Sequence, residues 1–224
     1  MRLKFNCSPK FDQKVNIPTR LQVDNICKEL EQLILDKIFL TDNFIDLVGN
    51  FISHRFKVDV LHAVSAQVNF GDIDITAHYN SDKDENCKIS IELILITNPY
   101  DQYLIFDKEL FDQFSIRLAD TLAHELIHMR QSRARDYKHI EYKNNEELQT
   151  DSEYLSNPDE IDAFAYGIAV ELKNLPNPLK KLSNPKTITI KDSANLWTYV
   201  KTFSNDDTNT ILKKLYKKIY KYLT

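Results

Sequence analysis

The spacing of apolar residues predicts a helical start to the chain. Between Thr19 and Leu40, apolar side chains recur every three or four residues, which is typical of an amphipathic helix. These positions are Val23, Ile26, Leu30, Leu33, Ile34 and Ile38. The polar run from Thr41 to Asn43 predicts a break and a new cap, so we expect a second, short helix from Phe44 to Ser53. Residues 1–55 are therefore expected to be mainly helical.

From Phe56 the pattern becomes an alternation of apolar and polar residues, which is typical of strands with one buried face. Three alternating runs are separated by a turn at residues 69–72 and by a polar loop from Asn80 to Asn86. The alternating positions are Val58, Val60, His62, Val64, Ala66 and Val68, then Ile73, Ile75, Ala77 and Tyr79, then Ile89, Ile91, Leu93 and Leu95. Because the connections are short, residues 56–98 are predicted to form an antiparallel meander.

The second half of the chain returns to helical spacing. Asp107 is a suitable cap for a long helix over residues 107–135, and Pro158 begins a further helix over residues 158–173. Between them lies a polar loop from Tyr137 to Asn157. The C-terminal part, residues 179–224, is predicted to contain a strand at Thr187–Ile190, a helix around Leu196 and Trp197, and a terminal helix from about Thr208. No domain boundary is evident, so residues 1–224 are expected to form a single α+β domain.

Composition narrows the possible functions. The chain has 224 residues, of which 42% are hydrophobic and 28% charged, so it can bury an extensive core. Its net charge of -4 gives no strong case for nucleic-acid binding. Three glycines exclude glycine-rich phosphate loops, and three scattered cysteines exclude a disulfide framework. Neither a signal peptide nor an apolar run long enough for a membrane span is evident, so a cytoplasmic location is expected.

The long helix contains the motif HExxH, from His124 to His128. Histidines one helical turn apart project from the same face, so both imidazoles can bind one Zn²⁺ ion. Glu125 is rotated about 100° from His124 around the helix, where its carboxylate can act as a general base on a water that the metal ion has made acidic. The alternative interpretation is a pair of solvated histidines on a polar helix face. The apolar residues Leu118, Ala119, Leu122, Ala123, Leu126 and Met129 group on the opposite face.

Catalytic zinc sites usually have three protein ligands, and Glu160 is the best candidate for the third. It shares a helix face with the small residues Ala163 and Gly167. A competing interpretation is a capping box, in which Asn157 is the N-cap, Pro158 the first helical residue and Glu160 the reciprocal partner. Asp162 faces away and is expected to be a supporting or surface acid.

The HExxH segment and the segment Pro158-Asp159-Glu160-Ile161-Asp162-Ala163-Phe164-Ala165 together resemble the gluzincin-type zinc metallopeptidases. They are particularly similar to small HExxH proteins from phages and bacteria, and the resemblance spans Ala119 to Glu171. The third-ligand helix departs from the best-known ExxxD pattern, because Phe164 stands at the Asp position.

The resemblance implies a zincin fold, with a small, mainly antiparallel sheet packed on the active-site helix. It also implies a zinc metallopeptidase that binds Zn²⁺ through His124, His128 and Glu160, with Glu125 as the general base and a peptide or protein as substrate. In that layout the strand Ile89–Ile96 would be the sheet edge that binds an extended peptide. Tyr154, Tyr166 and His139 are candidates for the donor to the oxyanion, and the choice among them stays open.

Two other functions remain open. The chain could be a non-enzymatic virion or assembly protein on a zincin scaffold, with a structural metal site. The terminal helix is also basic and amphipathic, which could suit an anionic partner. We favour the simpler interpretation of a closing helix, with Ile211, Leu215, Ile219 and Tyr222 facing inward and the lysines in water.

Overall fold

The computed structural model describes residues 20–56, 58–86, 88–138, 150–173, 175–184, 187–190, 192–203 and 210–224. The chain divides into two compact units, Met1–Tyr137 and Lys138–Thr224. The single domain expected over residues 1–224 stays a prediction. Helices and strands are both present, so the α+β class is confirmed. In the described residues, no helix combines the length and the apolar character needed to cross a membrane.

The first unit begins with helix α1 (Arg20–Ile34), strand β1 (Lys37–Leu40) and helix α2 (Thr41–Phe56). The prediction that the first helix continues to Leu40 is therefore wrong at its C-terminal end. Asp36 has a φ of 56°, a left-handed conformation that cannot continue a right-handed helix. After this reversal the chain extends as β1, which pairs antiparallel with strand β5 (Tyr103–Phe106).

The main sheet has three strands, β2 (Val58–Val64), β3 (Ile73–Tyr79) and β4 (Ile91–Thr97), in the order β2-β4-β3. β4 is parallel to β2 and antiparallel to β3, so the predicted antiparallel meander is wrong. The expectation of an edge strand at Ile89–Ile96 is also wrong, because β4 is the central strand. Its sequence explains this position: Ile91, Leu93 and Leu95 are buried on one face, while Ile94 and Ile96 make the other face apolar too.

Helices cover the buried face of this sheet. α2 packs against β2, and a long helix, α4 (Lys108–Ala134), packs against β3. The short helix α3 (Ser81–Glu85) lies in the segment predicted as a polar loop. The core of the unit includes a cluster of three aromatic rings, in which Phe44 stacks on Phe106 at a centroid distance of 4.5 Å and Phe114 meets both rings edge-on.

Helix α4 forms where the sequence predicts it. Asp107 is its N-cap, and its carboxylate accepts a hydrogen bond of 2.8 Å from the Leu110 backbone N–H. The face predicted to be apolar is buried: Leu118, Leu122 and Leu126 belong to the core of this unit. The rotation of α4 about its axis is therefore set by hydrophobic burial.

The C-terminal end of α4 is held by a buried ion pair. The Arg133 guanidinium donates from Nε and Nη2 to the two carboxylate oxygens of Asp84 in α3, both at 2.8 Å. The Tyr79 hydroxyl, at the end of β3, donates to the same carboxylate at 2.8 Å. The two ion-pair side chains are only 21% and 8% exposed. This bidentate contact ties the end of α4 to the segment that follows β3.

Helices are the only regular secondary structure in the described residues of the second unit. Its helices are α5 (Asp151–Ser156), α6 (Pro158–Lys173), α7 (Pro178–Ser183), α8 (Ala194–Phe203) and α9 (Thr210–Leu223). Helix α6 has the predicted bounds, and α8 and α9 confirm the last two predicted helices, although residues 208 and 209 lie outside the described residues.

The predicted strand at Thr187–Ile190 is wrong. Asp192 accepts hydrogen bonds from the Thr189 backbone and hydroxyl, which holds this segment in a turn.

The core of the second unit forms between α6 and α9. Leu215 and Ile219 of α9 are fully buried, and Ile211 and Tyr222 are partly buried in the same cluster, so the prediction of an ordinary closing helix is confirmed. Asp162 of α6 accepts hydrogen bonds from Lys218 at 2.8 Å and from the Tyr222 hydroxyl at 3.1 Å.

We expect Asp84→Ala to lower the free energy of unfolding by about 3 kcal/mol, because it leaves the Arg133 guanidinium buried without its carboxylate. Urea denaturation followed by circular dichroism measures the change. Asp74→Ala is the matched control, since Asp74 pairs with Arg117 at an exposed site and should contribute less than about 1 kcal/mol. Equal, small losses in both variants would contradict a stabilising role for the buried pair.

Candidate metal centre

The HExxH motif lies on α4 with its two histidines half-buried and the residues between them buried. Glu125 is only 8% exposed, and Leu126 and Ile127 are buried as well. Because the apolar side of α4 is packed into the core, the two imidazoles are directed away from it. Both histidines are partly exposed, so the alternative of two solvated histidines on a polar face stays open.

The two imidazoles meet through their Nε2 atoms. The distance from His124 Nε2 to His128 Nε2 is 3.0 Å, with ring centroids 4.7 Å apart and ring planes 74° to each other. Two nitrogen lone pairs at this distance repel each other, so a proton on one nitrogen or a cation between them must accompany the contact. The contact fits an N–H···N hydrogen bond between the rings, and it also brings both nitrogens to where one metal ion could bind them.

Gln131 determines the tautomer of His128. Its side-chain Oε1 lies 3.0 Å from His128 Nδ1. An amide oxygen only accepts hydrogen bonds, so Nδ1 must carry the proton and donate it. In the neutral ring, Nε2 then has the lone pair, and it is this lone pair that points at His124. Gln131 therefore orients the His128 ring, as supporting hydrogen bonds orient histidine ligands in metal sites.

Glu160 lies in the first turn of α6, and its side chain is only 9% exposed. Asn157 caps this helix: its side-chain oxygen accepts from the Asp159 backbone N–H at 2.9 Å. Ala163 and Gly167, which share the face of Glu160, are buried too. Burial of an ionised carboxylate is costly unless positive charge or hydrogen bonds compensate for it.

His124, His128 and Glu160 form a group that could hold a metal ion. One candidate ligand atom from each residue can be chosen so that all three lie within 4.8 Å of one another. Ligand atoms about 2.1 Å from a tetrahedral zinc ion are roughly 3.4 Å apart. The two imidazole nitrogens, 3.0 Å apart, are slightly closer than that spacing. The donor types suit a divalent metal ion.

The other candidates from the sequence have different surroundings. Asp162 binds Lys218 and the Tyr222 hydroxyl, so it joins α6 to α9. The Tyr166 ring packs edge-on against Tyr222, and the Tyr154 ring packs against Phe164. His139 lies outside the described residues. The donor to an oxyanion stays unassigned.

Sequence reasoning missed Gln131 as a partner of the candidate ligand His128. The available signal was its spacing, because a residue three positions after His128 is a neighbour on the helix surface. An amide at that position is compatible with a solvated side chain as well, so spacing alone does not assign the contact.

Comparison with known proteins gives no relative for this chain: no family model, curated protein or solved structure matches it.

We expect Gln131→Leu to weaken Zn²⁺ binding by about 10- to 100-fold, because His128 loses the acceptor that fixes its tautomer. Competition with a chromophoric chelator measures the affinity. Gln131→Glu keeps an acceptor at this position and should bind Zn²⁺ at least as tightly as the native protein. If the Leu and Glu variants bound Zn²⁺ equally, Gln131 would have no role in orienting His128.

Proposed function

We propose that this protein is a zinc-dependent hydrolase that cleaves peptide bonds, with His124, His128 and Glu160 as the metal ligands. The observation that carries the proposal is the group of two imidazoles and one carboxylate with candidate ligand atoms within 4.8 Å of one another. Three protein ligands leave a fourth tetrahedral position for water or substrate, which is the arrangement of catalytic zinc sites. Imidazole and carboxylate donors also suit zinc among the divalent metals.

Glu125 gives this ligand set its proposed reactivity. It follows His124 directly in the chain and is only 8% exposed, so we expect its carboxylate beside the bound ion and shielded from bulk water. When bound, a zinc ion would supply a Lewis acid that polarises a carbonyl and lowers the pKa of water. The Glu125 carboxylate would accept a proton from the attacking water and deliver it to the departing amine. Hydrolysis would then give one carboxylate and one amine.

An extended peptide is the substrate class that the first unit best supports. β3 is paired with β4 on one side, and no described strand is paired with its other side. This edge strand packs against α4, the helix of the HExxH motif. An unpaired strand edge can bind an extended chain through main-chain hydrogen bonds. β3 therefore replaces β4 as the strand proposed to bind substrate.

We expect the native protein to bind about one Zn²⁺ per chain and to hydrolyse unstructured peptides. Glu125→Gln should keep the metal but lower the hydrolysis rate by about 10²- to 10⁴-fold, because only the proton acceptor is lost. His124→Asn should lose both metal and activity, and Glu160→Gln should lose activity and bind Zn²⁺ measurably but more weakly through the two histidines. Metal content by mass spectrometry and cleavage of a quenched fluorescent peptide library measure the two properties.

His62→Asn is the matched control, since His62 lies on β2 and its ring contacts the Thr97 hydroxyl at 2.9 Å. It should change neither metal content nor rate. A native protein without bound metal, or a rate unaffected by Glu125→Gln, would refute the proposed function. Stoichiometric metal without cleavage of any peptide would favour a non-enzymatic protein with a structural metal site.

A further inference from the structure

Tyr199 of α8 places a polar group in the core of the second unit. Its side chain is fully buried, and its hydroxyl has no hydrogen-bond partner among the described residues. A buried hydroxyl without a partner destabilises a protein, and phenylalanine would fill the same space without that cost. The aromatic ring alone therefore does not explain why this residue is a tyrosine.

The surroundings of Tyr199 point to Glu160. The Tyr199 ring packs against Phe164 at a centroid distance of 5.6 Å, and Phe164 lies one helical turn after Glu160 on α6. Helix α8, which carries Tyr199, packs against α6, and both Tyr199 and Glu160 are buried. A tyrosine hydroxyl is a hydrogen-bond donor, so it can serve a carboxylate on the neighbouring helix.

We propose that Tyr199 is a positioning residue whose hydroxyl donates a hydrogen bond to the Glu160 carboxylate when that carboxylate binds the metal ion. This inference rests on the proposed metal site. A carboxylate that binds a metal through one oxygen retains acceptor capacity on the other, and a donor to that oxygen fixes the orientation of the ligand. The hydroxyl thereby gains a partner in the metal-bound protein.

The test compares metal affinity with stability in Tyr199→Phe. Zn²⁺ affinity is measured by chelator competition, and the visible absorption spectrum of the Co²⁺-substituted protein reports on the ligand geometry. We expect Tyr199→Phe to bind Zn²⁺ about 10- to 100-fold more weakly and to alter the Co²⁺ spectrum. The thermal midpoint of the metal-free protein should be unchanged or higher, because the variant no longer buries an unpaired hydroxyl.

Tyr216→Phe is the matched control. Tyr216 is a half-buried tyrosine of α9 in the same hydrophobic cluster, and burial alone raises the pKa of its hydroxyl to about 12. Loss of the Tyr216 hydroxyl should leave Zn²⁺ affinity and the Co²⁺ spectrum unchanged.

A second control compares the single variant Glu160→Gln with the double variant Glu160→Gln/Tyr199→Phe. Because Tyr199 is proposed to act through Glu160, the added Tyr199→Phe change should weaken Zn²⁺ binding no further.

The outcomes separate this inference from the proposed function. If the native protein binds Zn²⁺ and Tyr199→Phe binds it equally well, the role of Tyr199 is refuted and the metal site stands. The role would also be refuted if Tyr199→Phe weakened Zn²⁺ binding equally in the native protein and in Glu160→Gln. The effect of Tyr199→Phe would then not depend on Glu160. If the native protein binds no metal, both the site and the role of Tyr199 are refuted.

Discussion

The candidate site depends on the contact between two imidazole nitrogens one helical turn apart. At 3.0 Å, His124 Nε2 and His128 Nε2 are too close for two lone pairs to face each other, so either a hydrogen-bonding proton or a bound cation must lie between them. The helix that imposes this proximity has little freedom to rotate. Its apolar face is packed into the core, its first turn is capped by Asp107, and its last turn is tied to Asp84.

The buried acids divide according to what compensates their charge. Asp84 is neutralised by the Arg133 guanidinium, and Asp101 accepts two hydrogen bonds from the Gly71 backbone N–H. Glu125 and Glu160 are also buried, and both belong to the proposed metal site. The proposed hydrogen bond from the Tyr199 hydroxyl would give a partner to a buried group that has none among the described residues.

The sequence predicted helices better than strand pairing. The bounds of α6 and the capped start of α4 followed from local signals, namely a proline at the first helical position and an aspartate N-cap. The alternation in β2, β3 and β4 indicated strands, but it carried no information on the order of the strands in the sheet. Two clues to the true order were present. Residues 65–72 are more than the roughly two to five residues of a hairpin loop, and β4 is apolar on both faces, as a central strand tends to be.

What the sequence determined by itself is local: the one-turn spacing of His124 and His128, the position of Glu125 between them, and the helix that carries all three. These follow from the geometry of a single helix, in which the positions of side chains depend only on their spacing along the chain. Only the tertiary structure decided that Gln131 contacts the His128 ring, that β4 is the central strand, and that Tyr199 is buried against Phe164 of α6, the helix of Glu160. Such contacts depend on rotamers and on packing between distant segments, and hydrophobic periodicity contains no information about either.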